Sequence, residues 1–364
     1  MIYLDHNATT TIRPEVIDLV TSIMIETGNA SATHCAGQTA SMHIERAREQ
    51  MALAVNTRPA QVIFTSCATE SMNTILKTFK GERILASAIE HAAILDCGHA
   101  EMEIIPVTTD GIIDLEKMES MLQTSPVALV NIMMVNNETG VIQPVKDCVT
   151  LAHKYNALIH IDAVQALGKI PVDFRDIGAD YMSFSAHKIG GPQGVGCFVF
   201  AAQKPIRPLL VGGKQEKRQR AGTSNVAGIA GMGLAAELAV KNIDRYNELV
   251  QWRDDIESQI TRQINSAFVN GQNAPRVGNT ISLTCPDITN TVQMLNLDLE
   301  KICVSGGSAC SSGIAKPSHV LTAMGLSDED ALATLRISMG WNTTREEMDE
   351  FVASYIGIID RLKK

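Results

Sequence analysis

The sequence predicts an α/β protein: a mainly parallel sheet covered by helices, followed by a smaller α+β unit. Three observations carry this. Strand-like runs alternate with helical ones over most of the 364 residues. Those runs are almost continuously apolar, as strands buried on both faces are. After about Asn225 the alternation gives way to two long helical patterns and then to a second set of strands.

Residues 61–65 read as a strand and 69–79 as the helix that follows it. Further strands are expected at 83–86, 103–107, 127–135, 157–161, 181–185 and 197–200. Pro14, then Glu15 and periodic apolar residues to Met24, mark an early helix that Gly28 is expected to close. Beyond 225, helices at 226–241 and 246–266 lead into strands at 279–283 and 335–338. A last helix starts near Thr344 and runs almost to Lys364. A large domain is therefore expected over 13–251 and a small one over 252–364, with the arm 1–12 packed beside the small domain.

Composition narrows the function. Apolar residues are 45% and charged residues 20%, a globular balance. The net charge of −9, from 31 basic and 40 acidic side chains, disfavours direct nucleic-acid binding or an acidic membrane surface. The one basic cluster, Lys214 to Arg220, is interrupted by Glu216 and reads as a solvated loop. No basic start followed by an apolar run opens the sequence, and the most apolar stretches are too short to span a bilayer, so a cytoplasmic protein is expected. The eight cysteines (35, 67, 97, 148, 197, 285, 303 and 310) show no Cys-x-x-Cys pair or ribbon-like spacing, so no metal site is expected. In a reducing compartment most are buried, inert thiols.

Three segments point to a cofactor. His160-Ile-Asp162-Ala-Val-Gln165 is a strand ending in an acid, and strand ends are where doubly wound sheets bind ligands. A carboxylate there can keep a ring nitrogen protonated; a helix cap is the plainer reading. Ser183-Phe-Ser185-Ala-His187-Lys188 precedes a glycine turn, and its lysine is poorly placed for core packing. Near a cofactor such a lysine becomes a nucleophile with a lowered pKa, and Ser185 and His187 can donate to a phosphate. Thr65-Ser-Cys67-Ala-Thr69-Glu70-Ser71 is a strand running into a helix start rich in hydroxyls, a phosphate site by its free N–H groups and dipole, although Ser66 and Glu70 also resemble a capping box. The order of the three, phosphate cup, acid, lysine, is informative.

With these motifs the chain resembles the cysteine desulfurases of the NifS/IscS kind, among the class V, fold-type I pyridoxal-phosphate enzymes. The resemblance covers nearly the whole chain. It includes Tyr3-Leu-Asp5-His-Asn-Ala-Thr-Thr10, Ile89-Glu-His91, Asn136-Asn-Glu-Thr-Gly140, Gly212-Gly-Lys-Gln-Glu216, Arg220-Ala-Gly-Thr223, Ser308-Ala-Cys310-Ser-Ser312 and Leu335-Arg336-Ile-Ser-Met-Gly340. It implies a mainly parallel seven-stranded sheet, pyridoxal 5'-phosphate as cofactor and L-cysteine as substrate. Lys188 would carry the cofactor, Asp162 would pair with its ring nitrogen, Gln165 would reach its phenolic oxygen, and His91 would stack on the ring and assist proton transfers. Ala68, Thr69, Ser185 and His187 would hold the phosphate, with Thr223 supplied by a second subunit. Asn137 would contact cofactor and substrate, and Arg336 would fork onto the substrate carboxylate. Cys310, in a small, polar, glycine-rich stretch that reads as an exposed loop, would take the substrate's sulfur as a persulfide and hand it on.

The resemblance further implies a homodimer and a sulfur-acceptor protein, with iron–sulfur assembly, tRNA thiolation, thio-cofactor synthesis and DNA phosphorothioation all open as destinations. A selenocysteine lyase or another class V enzyme is the nearest rival. Four positions depart from the family pattern: Cys67 and Gly306 stand where glycine and serine are usual, Gln193 for a lysine, and Ala30 for a proline. Cys67 is expected either to crowd the phosphate or to add a second oxidisable thiol. The short run after the last helix makes docking of an iron–sulfur scaffold through a longer tail unexpected.

Overall fold

The computed structural model describes residues 1–307 and 316–363. Its frame is a seven-stranded sheet built from β2 (Val62–Thr65), β3 (Ile84–Ser87), β4 (Met102–Ile105), β5 (Leu129–Met133), β6 (Leu158–Asp162), β7 (Tyr181–Ser185) and β8 (Gly196–Phe200), following an N-terminal strand β1 (Ile2–Tyr3). The strand order is β2-β8-β7-β6-β5-β3-β4, and β8 alone runs against the rest. All seven strands lie within a few residues of where apolar runs place them. β5 and β7 are buried at every position, as covered parallel strands must be.

Helices cover both faces. α1 (Pro14–Ile25), α2 (Cys35–Ala54) and the helix Val226–Lys241 pack together, and the first core joins them to the sheet through Val16, Met51, Phe64, Phe184 and Met232. α1 does not close at Gly28 as its sequence suggests. It ends at Ile25 with an extended Glu26, and Gly28 serves close approach instead: a Cβ there would lie 2.3 Å from the Ala36 carbonyl oxygen.

A second core lies around a smaller sheet of β9 (Phe268–Val269), β10 (Thr280–Thr284) and β12 (Thr334–Ser338), with β11 (Ile302–Cys303) pairing in parallel with β1. Ile2 and Leu4 of the arm belong to this core, as do Tyr246, Leu249, Ile256 and Ile260 of the helix Ile243–Gln263. The expected junction at 251/252 therefore falls inside one helix that packs on one core. We propose a division near residue 242, where the preceding helix ends. Among the described residues no single helix is long and apolar enough to cross a membrane.

β2 is an edge strand, and side chains cover its open groups. Arg48 donates from Nη1 to the Val62 carbonyl at 2.8 Å and grips Glu216 with both terminal nitrogens, at 2.8 and 2.9 Å. The same Glu216 carboxylate accepts from the Phe64 N–H at 2.9 Å, and Glu70 accepts from the Ser66 N–H at 2.7 Å. Both Arg48 and Glu216 are buried. Glu216, Lys217 and Arg218 all have positive φ, at 43°, 55° and 70°, so contacts must hold a backbone that L-residues avoid.

This gives a stability prediction. Glu216→Ala leaves the buried guanidinium with only the exposed Glu45 as ion-pair partner and should cost about 3 kcal/mol in urea unfolding, while Arg48→Met with Glu216→Leu should recover most of it. A loss well under 1 kcal/mol for Glu216→Ala would show that the pair does not hold the edge.

Candidate active site

β2, β5, β6 and β7 share a direction, so their carboxyl ends meet at one edge of the sheet, where a ligand site is expected. A cavity of about 530 Å³ opens there. Its wall is formed by Ala68 and Thr69 at the start of α3 (Ala68–Thr78), by Asp162 at the end of β6 and Gln165 beyond it, and by Ser185 at the end of β7 with His187 and Lys188 beyond it. His91, Asn137 and Arg336 complete it. Ten of the residues singled out from sequence thus converge.

Thr223 does not: it lines a separate cavity of about 130 Å³ with Thr65, Ser66 and Arg220. Cys310 lies outside the described residues. Gly307 and His319, described residues before and after it in the chain, line the main cavity, and Ser318 donates to the Glu138 carboxylate at 2.5 Å.

Lys188 is half-buried, with no carboxylate in contact among the described residues. Its Nζ donates to the Asn7 and Ala8 carbonyls at 2.5 and 2.7 Å. Burial, then the Arg336 charge, lowers its pKa to about 8, against the pull of Asp5 and Asp162. Asp162 is raised to about 6 by burial, opposed by a 2.9 Å bond from the Val164 N–H and by Lys188. That bond means Asp162 caps the turn after β6 and faces the cavity at once. Among the described residues it has no ion-pair partner.

Burial disfavours the charged form of both His187 and His91. His187 is lowered to about 4 by burial and Lys188, and sits 3.2 Å from the Thr9 hydroxyl. His91 is lowered by burial, Lys188 and His319; its Nδ1 accepts from the Ala93 N–H at 3.0 Å, which leaves the proton on Nε2. Arg336 donates to Asp5 at 2.7 Å and to the Asn137 carbonyl at 3.2 Å, while its buried Nε has no partner. It is therefore both an ion-pair partner and a cavity residue with one donor unused.

This donor set fits an anionic, cationic and carbonyl-bearing ligand in one molecule. The N-cap of α3, Cys67, makes no side-chain cap, so the helix start offers its N–H groups to an anion. Asp162, raised in pKa and unpaired, suits a protonated ring nitrogen. Lys188 suits a carbonyl carbon. Pyridoxal phosphate carries all three.

Sequence reasoning missed several participants. Asp5, Asn7, Glu90 and Glu138 sit inside quoted motifs but had no assigned role. Asn7 ties the site together, donating to Asn137 O at 3.1 Å and Thr280 Oγ1 at 2.9 Å while its carbonyl holds Lys188. Glu90 is fully buried; burial, then Asp162, pushes its pKa well up, and its Oε2 has no partner. Lys169, a lysine within Ala166-Leu-Gly-Lys-Ile170, gave no signal beyond its apolar setting.

Residues 2–351 match the family described as aminotransferase class-V. The chain is 38% identical to a cysteine desulfurase IscS of Dictyoglomus turgidum, over all of this chain and 95% of that one. Among solved structures, a NifS-like protein from Rickettsia africae superposes with a TM-score of 0.93 at 36% identity, covering 99% of both chains. SspA in complex with cysteine superposes with a TM-score of 0.81 at 28% identity, covering 93% of this chain and 99% of that one.

Competitive labelling of the cofactor-free protein with an amine reagent, followed by peptide mapping, should give Lys188 a midpoint near pH 8: protonated and unreactive below, free amine above. Arg336→Met removes a like charge and should move that midpoint upward. A midpoint near that of an ordinary lysine would contradict the burial argument.

Proposed function

We infer, from the premise that the chain belongs to the aminotransferase class-V family and to the cysteine desulfurases within it, that Cys310 takes the sulfur of L-cysteine as a persulfide and passes it to an acceptor protein. The enzyme is pyridoxal-phosphate dependent and acts on L-cysteine. The observation that carries the finer reading is the cavity: ten family-matched positions line it, as do Gly307 and His319, before and after Cys310 in the chain.

When bound, pyridoxal phosphate supplies an electron sink that acidifies the substrate's Cα–H. Ala68, Thr69, Ser185 and His187 would hold its phosphate, Asp162 its ring nitrogen, Gln165 its phenolic oxygen and His91 its ring face, with Lys188 as the attachment point. The chain's own groups do the rest. Arg336 presents its unused Nε to the substrate carboxylate, and Asn137 fixes the orientation of that guanidinium through its carbonyl. Lys188, poised near pH 8, takes and returns a proton at Nζ. His91 offers an Nε2–H beside it. The Cys310 thiolate attacks the substrate sulfur; a sulfur–sulfur bond forms as the carbon–sulfur bond breaks. The carbon fragment keeps the electron pair, takes up a proton and leaves as L-alanine.

A homodimer is part of the proposal. Thr223 lines a cavity other than that of Lys188, on a segment held in positive φ, which accords with service to a second copy. The net charge of −9 accords with action in the cytoplasm through acceptor proteins, iron–sulfur assembly among their destinations, without direct nucleic-acid contact. Sedimentation showing a cofactor-loaded monomer would overturn the dimer.

The central test is turnover with sulfur-labelled L-cysteine followed by mapping. Wild type should carry one labelled sulfur on the Cys310 peptide. Cys310→Ser should carry none yet keep the cofactor's visible absorption. Label on another cysteine would refute the assignment. Arg336→Lys, which loses the planar fork, should lower kcat/KM by about 10- to 100-fold, the loss of one charge-assisted hydrogen bond.

A further inference from the structure

Lys169 is a buried base that the reaction above leaves idle. It follows Gly168 in the turn after β6. Gly168 has φ of +76°, and a Cβ there would lie 2.6 Å from that of Ala239, so both backbone and space require glycine. The side chain beyond it is buried. Its Nζ donates to Gln165 Oε1 at 2.5 Å and to Asn7 Oδ1 at 2.9 Å, both on cavity-lining residues.

Lys169 donates an N–H to the Gln165 amide, and the one acceptor that amide offers is its oxygen. The amide's other end confirms the sense: Nε2 donates to the Asn7 carbonyl, a pure acceptor, at 2.9 Å. One Nε2 proton is thereby committed and the second is left for an acceptor in the cavity. We propose that Lys169 is a positioning residue, which locks the Gln165 amide so that its nitrogen, and not its oxygen, faces the phenolic oxygen of the cofactor. This rests on the reading that the cavity holds pyridoxal phosphate with that oxygen at Gln165.

The design suits its surroundings. The charged groups acting on Lys169 are Lys188 and Arg336, both of its own sign; with burial they push its pKa well below that of a free lysine. Asp5 is paired with Arg336, and no acid pairs with Lys169 among the described residues. The same head group also pins Asn7, which Asn279 holds from the other side at 3.1 Å. Loss of Lys169 should therefore remove one restraint from each of two amides, the Gln165 amide keeping only its Nε2 bond to the Asn7 carbonyl.

The test is a double-mutant cycle on the holoenzyme: wild type, Lys169→Met, Gln165→Ala and the double variant. The readout is the pH midpoint of the visible absorption of bound pyridoxal phosphate. A donor to the phenolic oxygen stabilises its negative charge, most of all in the deprotonated cofactor. Losing that donor raises the midpoint, by about one pH unit for one such bond. Lys169→Met and Gln165→Ala should each produce the rise, and the double variant should show no more than Gln165→Ala alone. An unmoved midpoint in Lys169→Met, or a shift that adds in full to that of Gln165→Ala, would overturn the proposal. So would a fall in Tm with no change in midpoint. Lys169→Gln, which keeps a polar head in the buried site, repeats the cycle if the methionine variant fails to fold. Wild type without a visible band would count against the cavity assignment itself, a result distinct from a failed cycle.

Discussion

A lysine buried at the carboxyl edge of a sheet needs acceptors, and in this chain the N-terminal arm brings them. The Asn7 and Ala8 carbonyls receive Lys188 Nζ. The arm reaches that position because it is stitched to the small domain: β1 pairs with β11, the Ser338 N–H donates to the Leu4 carbonyl at 2.7 Å, and Asp5 bridges to Ser338. Asp5 then grips Arg336 on β12, while Asn7 spans to Asn137 and Thr280. The cavity is thus shared between two cores, and a stretch of a few residues sets the distance between the lysine of one and the arginine of the other.

That arrangement fixes the electrostatics. Lys188, Lys169 and Arg336 crowd one side, and Asp162 and Glu90 lie close on the other. Burial disfavours the charged form of each titratable group, so the lysines fall and the acids rise; like-charge neighbours add to the effect at Lys188, Lys169 and Glu90, while Lys188 opposes it at Asp162. Lys188 near 8 and Asp162 near 6 end on either side of neutrality. A proton can then be held or released at Lys188 for little cost at physiological pH, and Asp162 is left wanting a cationic partner. A ligand with a protonated ring nitrogen would supply that partner.

What the sequence made legible follows the range of the interactions. Six of the seven sheet strands were legible because burial on both faces writes itself as a local apolar run; the edge strand β4, largely exposed, showed through its apolar residues alone. The motifs of the cavity were legible because strand ends and helix starts are short. The two-residue strands β1, β9 and β11 were not, since only partners far away in the chain define them. α2 gave little signal either: it buries Arg48 against an edge strand and a carboxylate 168 residues on, so its inward face is not simply apolar. Gly28 was misread as a helix stop because close packing and a left-handed turn both favour glycine, and sequence does not separate them. Lys169 was invisible because its partners, Asn7 and Gln165, are joined to it only by the fold.

The departures from the family pattern show how the fold absorbs change. Cys67 stands where glycine is usual, yet its φ of −173° and ψ of 171° are extended backbone open to any residue. The need for a small residue lies instead across the sheet at Gly196, where a Cβ would come within 2.6 Å of the Cys67 carbonyl carbon. Cys67 lines the cavity, with Ser66 Oγ 3.8 Å from its sulfur. Gln193 lines a different cavity, so the charge lost with the usual lysine is lost away from Lys188. At Gly306 the pressure runs the other way: a Cβ would meet Asn290 Nδ2 at 2.9 Å, and the absent side chain makes room for that amide. Cys67 thus falls where the backbone is ordinary, and Gly306 where the neighbour has taken the space. The groups that hold charge or protons, from Asp5 through Asn7 to Lys188 and Arg336, are fixed to one another by hydrogen bonds and leave no such slack.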